Sequence, residues 1–218
     1  MAKRKKLEKN MKKSEERIVG RSTYITLAVL LVLIVIFIVS YNFFSGLNKV
    51  KYENLVFFKE KFGEINLYRY TYHFPDNNGK IITYNFYVRT NPAKNNIPVS
   101  GSIEFPKGKF VYLAINSTGL TQCPTSRIAI AGLSAFITNN QFKLITGTPD
   151  KAEAERDNLT YVSCDIHENN AVINLFAGEE TNIYKKDFCY NIEIGNCEIL
   201  EALEKFEVQA IVDAKSSS

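Results

Sequence analysis

The chain has 218 residues, 45% of them hydrophobic and 12% aromatic, and a formal net charge of +4. That much apolar and aromatic material fills a core, which excludes a largely disordered chain. The surplus charge sits in the first 21 residues, where nine Lys and Arg accompany three Glu; the remaining 18 basic and 20 acidic residues nearly cancel, so no basic nucleic-acid surface is expected on the folded part.

Residues 1–21 form a basic tail with no aromatic side chain among the lysines to stack on bases. Residues 24–44 follow without a charge, and from 27 to 39 every residue except Ala28 is Leu, Ile, Val or Phe. Each such residue near the bilayer centre favours insertion by about 0.3–0.6 kcal/mol, so the run favours it by roughly 4–7 kcal/mol. Its length matches the roughly 20 residues that span about 30 Å of hydrocarbon. Tyr24 at one end and Tyr41, Phe43 and Phe44 at the other suit the headgroup level. A transmembrane helix is therefore expected over 22–45. Charge asymmetry places the tail in the cytoplasm and residues from Lys49 onward outside a cell membrane crossed once, with the lipid bilayer as first partner.

Two other readings compete. A cleaved signal peptide has a shorter apolar region and a small-residue cleavage site, unlike the bulky Tyr41, Phe43 and Phe44. A precursor cut after Gly20 resembles the leader of type IV pilins, but Ile25 stands where that family carries Glu.

An oxidising compartment pairs cysteines. All four, Cys123, Cys164, Cys189 and Cys197, lie in the outer region. Two Asn-x-Ser/Thr acceptors, at Asn116 and Asn158, mark a glycoprotein as an expectation.

The outer residues divide into a β-rich hairpin region at 49–105, packed on an α/β domain at 106–214, with a disordered tail at 215–218. Residues 65–74 alternate, placing Tyr68, Tyr70, Tyr72 and Phe74 on one face; Ile82, Tyr84, Phe86 and Val88 repeat the pattern after a turn-rich stretch at 75–80. This predicts a hairpin with one aromatic face, read as core before sugar or peptide binding. A short strand is expected at 101–105. From 109 the signals alternate between strand and helix, which predicts an α/β or α+β fold with a mixed three-layer sheet and helical crossovers. Strands are expected at 110–115, 142–146, 160–163 and 171–176, with a hairpin edge at 182–194. Helices are expected at 123–139, apolar nearly all round and capped by Thr121 or Cys123, at 148–156, and from near Cys197. The end of that last helix, 206–212, reads equally as a strand because of its β-branched residues.

Loops after parallel strands collect on one sheet edge. A third strand ending at 163 places Cys123 and Cys164 on that edge, so the expected bridges are Cys123–Cys164 and Cys189–Cys197. If Cys123 were free at its helix N-terminus, it would be a candidate thiol nucleophile, with His167 as base and Asp165 as its orienter. Cys164 and His167 have a ligand-like spacing but lack a second pair, so no metal is expected. No nucleotide, cofactor or hydrolase motif occurs, and no cofactor is expected.

The basic tail and span, the 109–116 strand feeding Thr118-Gly119-Leu120 and a cysteine-bearing helix, the Thr148-Pro149 helix start and the 189–197 segment resemble uncharacterised single-span archaeal membrane proteins. The resemblance implies a small extracytoplasmic α/β domain and no activity. The expected function is a tethered binding or assembly module of the cell envelope that meets another envelope protein, more a binder than an enzyme. A pilin-like surface subunit and an envelope thiol enzyme using Cys123 are the alternatives.

Overall fold

The structure, a computed structural model, describes residues 24–41, 46, 48–76, 78–106, 108, 110–167 and 169–217. The basic tail, the position after Gly20, and Phe43 and Phe44 lie outside the described residues.

Helix α1 spans Tyr24–Tyr41, with a mean hydropathy of 2.8 and none of its window buried. Its 18 residues rise about 27 Å at 1.5 Å each. A helix that is apolar on every side belongs to a protein core or to a membrane span. By length and composition α1 can cross a membrane, and a signal sequence has the same properties.

A second unit covers Val50–Ser218. It begins with β1 (Lys49–Tyr52), β2 (Leu55–Phe62), β3 (Ile65–Pro75) and β4 (Ile81–Val88), a four-stranded sheet in chain order. The expected aromatic hairpin is present as antiparallel β3 and β4, with Tyr70 opposite Phe86 and Tyr72 opposite Tyr84. Asp76 closes the turn by accepting the amides of Asn78 and Lys80 on Oδ1, both at 2.8 Å.

The second sheet has six strands: β5 (Val99–Ser100), β6 (Phe110–Ile115), β7 (Lys143–Gly147), β8 (Ala171–Ala177), β9 (Asn182–Lys186) and β10 (Cys189–Ile194), in the order β5-β9-β10-β8-β6-β7. Strands β10, β8, β6 and β7 run parallel, and β9 is antiparallel to β10. Helix α2 (Ser126–Asn139) follows β6, α3 (Lys151–Asp157) follows β7, and α4 (Ile199–Ser216) follows β10. The fold is mixed α/β with an antiparallel hairpin sheet and a mixed sheet joined by helical crossovers.

Alternation in β6 divides the packing. Val111 and Leu113 join the main core, whereas Tyr112 and Ala114 join a smaller cluster on the opposite face with Val162, Cys164, Val172 and Cys189. The main core lies between the sheets and is filled by α2 and α4. Phe86 of β4 meets Phe136 of α2 at 5.5 Å between centroids, and Tyr190 of β10 meets Phe206 of α4 at 5.6 Å. Helix α4 is buried on all sides over most of its length, including Glu204, Lys205 and Glu207. That burial keeps 206–212 helical despite Val208, Ile211 and Val212, because tertiary packing outweighs a propensity difference of a few tenths of a kcal/mol per residue.

Several expectations are corrected. Strand β5 covers Val99–Ser100 and the expected strand at 101–105 does not form, because Gly101 has φ +92° and the Glu104 backbone bonds the Tyr190 side chain instead of a neighbouring strand. Strand β5 pairs parallel with β9 in the six-stranded sheet. Helix α2 starts at Ser126, with Thr125 as N-cap and no side-chain cap, and it exposes Ile128. Residues 160–163 contribute only a bridge between Tyr161 and Thr148. The 182–194 hairpin is not an edge: β10 is internal, flanked by β8 and β9. Residues 215–216 are helical, and Lys215 donates to the Asn54 carbonyl at 3.0 Å, so the described end is not a loose tail.

Candidate functional site

The cysteines pair as Cys123–Cys197 and Cys164–Cys189, with Cα separations of 5.2 and 5.7 Å. This overturns the expected Cys123–Cys164 and Cys189–Cys197 bridges, and the reason is sheet direction. Cys123 follows the C-terminal end of β6, and Cys197 follows that of β10. Cys189 opens β10, and Cys164 precedes β8, so these two share the other end. Because 160–163 is not a strand of the sheet, Cys164 approaches β8 from its start instead of leaving a strand at its end.

The thiol site falls with this pairing. Cys123 is bridged, and the two ends of the parallel strands are roughly 17 Å apart at 3.3 Å per residue of β10. His167 stacks on Tyr112 near the far end, with ring centroids 3.7 Å apart, and its buried Nε2 has no hydrogen-bond partner among the described residues. Asp165 is beside Cys164 in that same segment. Candidate nucleophile and candidate base are thus kept apart. Among the described residues, no three His, Cys, Asp or Glu side chains group as metal ligands. Of the acceptor asparagines, Asn158 is exposed in the left-handed cap of α3, while half-buried Asn116 accepts the Thr118 amide at 3.1 Å.

A concavity of about 820 Å³ lies elsewhere, between β3 and the far ends of α2 and α4. One wall is the aromatic face of β3: Tyr70, Tyr72 and Phe74 form a ladder with successive centroids 5.8 Å apart. The two-residue period of a strand produces that row. Tyr68 and Phe86 of the same hairpin are buried, as the core reading expects, but Tyr70, Tyr72 and Phe74 remain half-exposed and line the cleft. Phe105, Phe136 and Phe142 form the opposite side, with Phe105 and Phe142 in contact at 5.1 Å. Ala210, Ile211 and Ala214 on α4 form the floor.

No family model, curated protein or solved structure matches this chain. The geometry of the cleft is therefore the functional evidence.

Its polar groups are few and fixed. Tyr72 donates its hydroxyl to Asn140 Oδ1 at 2.7 Å, and Asn140 donates its own amide to the Phe136 carbonyl at 2.8 Å. Burial raises the Tyr72 phenol well above its ordinary value, partly offset by that hydrogen bond, so the hydroxyl stays neutral. The 103–105 wall is tied down at two points: Ile103 donates its amide to Asp213 Oδ2 at 2.7 Å, and Glu104 is held through its backbone by Tyr190. Burial pushes the Tyr190 phenol up to about 12. Lys215 at the rim has its Nζ 6.0 Å from the Tyr70 ring centroid.

Beyond the cleft, α4 carries three buried charged residues. Glu204 accepts the amides of Arg89 and Thr90 at 2.6 and 2.8 Å, capping the end of β4. Lys205 donates to the Tyr52 hydroxyl and the Asn95 carbonyl, both at 2.9 Å. Glu207 has no such partner among the described residues; burial first, and then Glu204, hold its carboxyl well above the usual range. Sequence reasoning missed Phe105, Asn140 and Phe142, which line the cleft from elements distant in sequence, and the buried Glu207 beyond it. The one available signal was the Glu204-Lys205-Phe206-Glu207 run, where charges interrupt an apolar helix.

Proposed function

We propose that this chain is a membrane-tethered, extracytoplasmic binding module of the cell envelope, held by α1 and recognising its ligand in the aromatic cleft. The cleft carries the reading. Its volume falls within the roughly 300–1,000 Å³ typical of small-molecule sites, and an apolar, aromatic lining with a few fixed polar groups is the usual composition of such sites. The ladder of Tyr70, Tyr72 and Phe74 suits flat apolar faces, those of a sugar ring or of an aromatic peptide side chain. Two bridges in one small domain support an oxidising compartment, and the basic tail supports a cytoplasmic N-terminus.

The test is ligand-observed NMR on the full chain in detergent micelles, with a panel of soluble oligosaccharides and short aromatic peptides. At least one member should bind, and Tyr72→Ala together with Phe105→Ala should abolish the signal while the domain still unfolds cooperatively, at a lowered midpoint. A panel with no binder, or binding unchanged by both substitutions, rejects the cleft as the site.

A further inference from the structure

The edges of the two sheets are guarded unequally. Natural proteins blunt sheet edges with charge, proline, bulges or short length, since an open edge offers a row of unpaired amides and carbonyls to another strand. Strand β1 carries Lys49 and Lys51, β5 has two residues, and β7 starts with Lys143. The remaining edge, β4, has the eight residues Ile81–Val88 with no charge, no proline and no glycine. Among the described residues it is the one long unguarded edge.

The backbone groups that face outward can be identified. Asp76 donates its amide to the Lys80 carbonyl at 2.8 Å, so this pair is hydrogen-bonded; Pro75, which has no amide hydrogen, stands opposite Ile81. Hydrogen-bonded and non-bonded pairs alternate along an antiparallel ladder. The backbones of Ile82, Tyr84 and Phe86 therefore bond β3, and those of Ile81, Thr83, Asn85 and Tyr87 point to the open side. The side chains of these same four residues lie on the outer face, where Ile81 is 63% and Tyr87 45% exposed.

We infer that β4 is a self-pairing edge, at which a second copy of this chain adds its own β4 antiparallel about a two-fold axis at Tyr84. Such an axis normal to the sheet keeps both inner faces on one side, which requires like-facing residues to oppose each other. With Tyr84 on the axis, Ile81 opposes Tyr87 and Thr83 opposes Asn85, twice each. The two most exposed apolar side chains of the edge then cover one another, and every outward backbone group gains a partner. No like charges meet, because the strand has none. A slip by one pair would instead set Ile81 against Arg89, or Tyr87 against Gly79, so only the register centred on Tyr84 covers both exposed apolar side chains. On the inner face, Tyr84 already touches Tyr72 at 5.4 Å, and pairing continues this aromatic row into the second copy.

Light scattering on the full chain in detergent micelles should give the protein mass of a dimer. Asn85→Pro removes an outward amide at a position where an edge strand tolerates proline, and should halve that mass with the melting transition retained. Tyr84→Cys tests the axis without disturbing the edge. Non-bonded antiparallel pairs have Cα atoms about 4.5 Å apart, within disulfide range, so this variant should run as a covalent dimer without reductant. A monomeric wild type, a dimer that survives Asn85→Pro, or Tyr84→Cys that fails to cross-link overturns the inference. If Asn85→Pro does not fold, the cross-link decides.

Discussion

The hydroxyl of Tyr190 holds both backbone groups of Glu104: it donates to the carbonyl at 2.5 Å and accepts the amide at 2.8 Å. One fully buried side chain on a central strand thereby stands in for a missing strand neighbour and fixes the 103–105 wall of the cleft.

Tyr190→Phe tests this role. It keeps the ring packed on Phe206 but removes both hydrogen bonds to the backbone of exposed Glu104, each worth about 0.5–1.5 kcal/mol net. Chemical denaturation should show a loss in that range. Hydrogen exchange should quicken at Ile103 and Glu104 more than in β6; uniform quickening would argue that the hydroxyl stabilises the domain without positioning the wall.

The bridges make a second prediction. Non-reducing peptide mapping should join Cys123 to Cys197 and Cys164 to Cys189. The sequence separations of 74 and 25 correspond to about 4.5 and about 3.5 kcal/mol of stabilisation by the chain-entropy argument. Replacing Cys123 and Cys197 together by Ser should therefore lower stability slightly more than replacing the other pair, as read from denaturation midpoints.

Glu207 predicts an unusual pH response. Its carboxyl is raised in the folded state, so the folded protein holds a proton that the unfolded chain releases near pH 4.3. That contribution is complete at pH values below the unfolded carboxyl and is lost as pH rises toward the folded value. The groups that act on it are Glu204 on its own helix and Tyr72 from β3. Glu207→Gln should flatten this slope and stabilise the domain at pH 7–8 by about 1–3 kcal/mol, the scale of one buried polar mismatch. Thermal unfolding from pH 4 to pH 9 measures both. Unchanged slope in the variant would remove Glu207 as the cause.

Tyr72→Phe separates the cleft from its support. The ring and its contacts with Tyr70 and Tyr84 remain, while Asn140 loses a partner on the rim side. Stability should fall by about 1 kcal/mol, the net worth of one ordinary hydrogen bond, and ligand stacking should persist. Calorimetric unfolding with the NMR panel distinguishes the two effects.

Local chemistry was legible where one residue pattern decides the outcome. The β3–β4 hairpin follows from alternation, β6 from a continuous apolar run, and α3 from Asp150, which caps the amides of Ala152 and Glu153. Misreadings arose where distant residues decide. Whether Tyr161 and Val162 enter the sheet depends on what lies beside Thr148, and that single choice reversed which cysteines share an end. The cleft was half legible. Its ladder on β3 came from period two, but Phe105, Asn140 and Ile211 reach it from three elements far apart in sequence, which no local pattern links.

Half of the layer shared by the two sheets, helix α4, is synthesised after every strand of both. Lys205 reaches Tyr52 across 153 positions and Lys215 reaches Asn54 across 161. Until α4 arrives, Tyr190 lacks its partner Phe206, although it is fully buried in the finished fold. Contacts of such long range slow folding, because the chain must close large loops before burial rewards it. The nascent chain therefore completes both sheets with α2 in place but without α4, so part of their shared apolar layer stays open until the last helix is made.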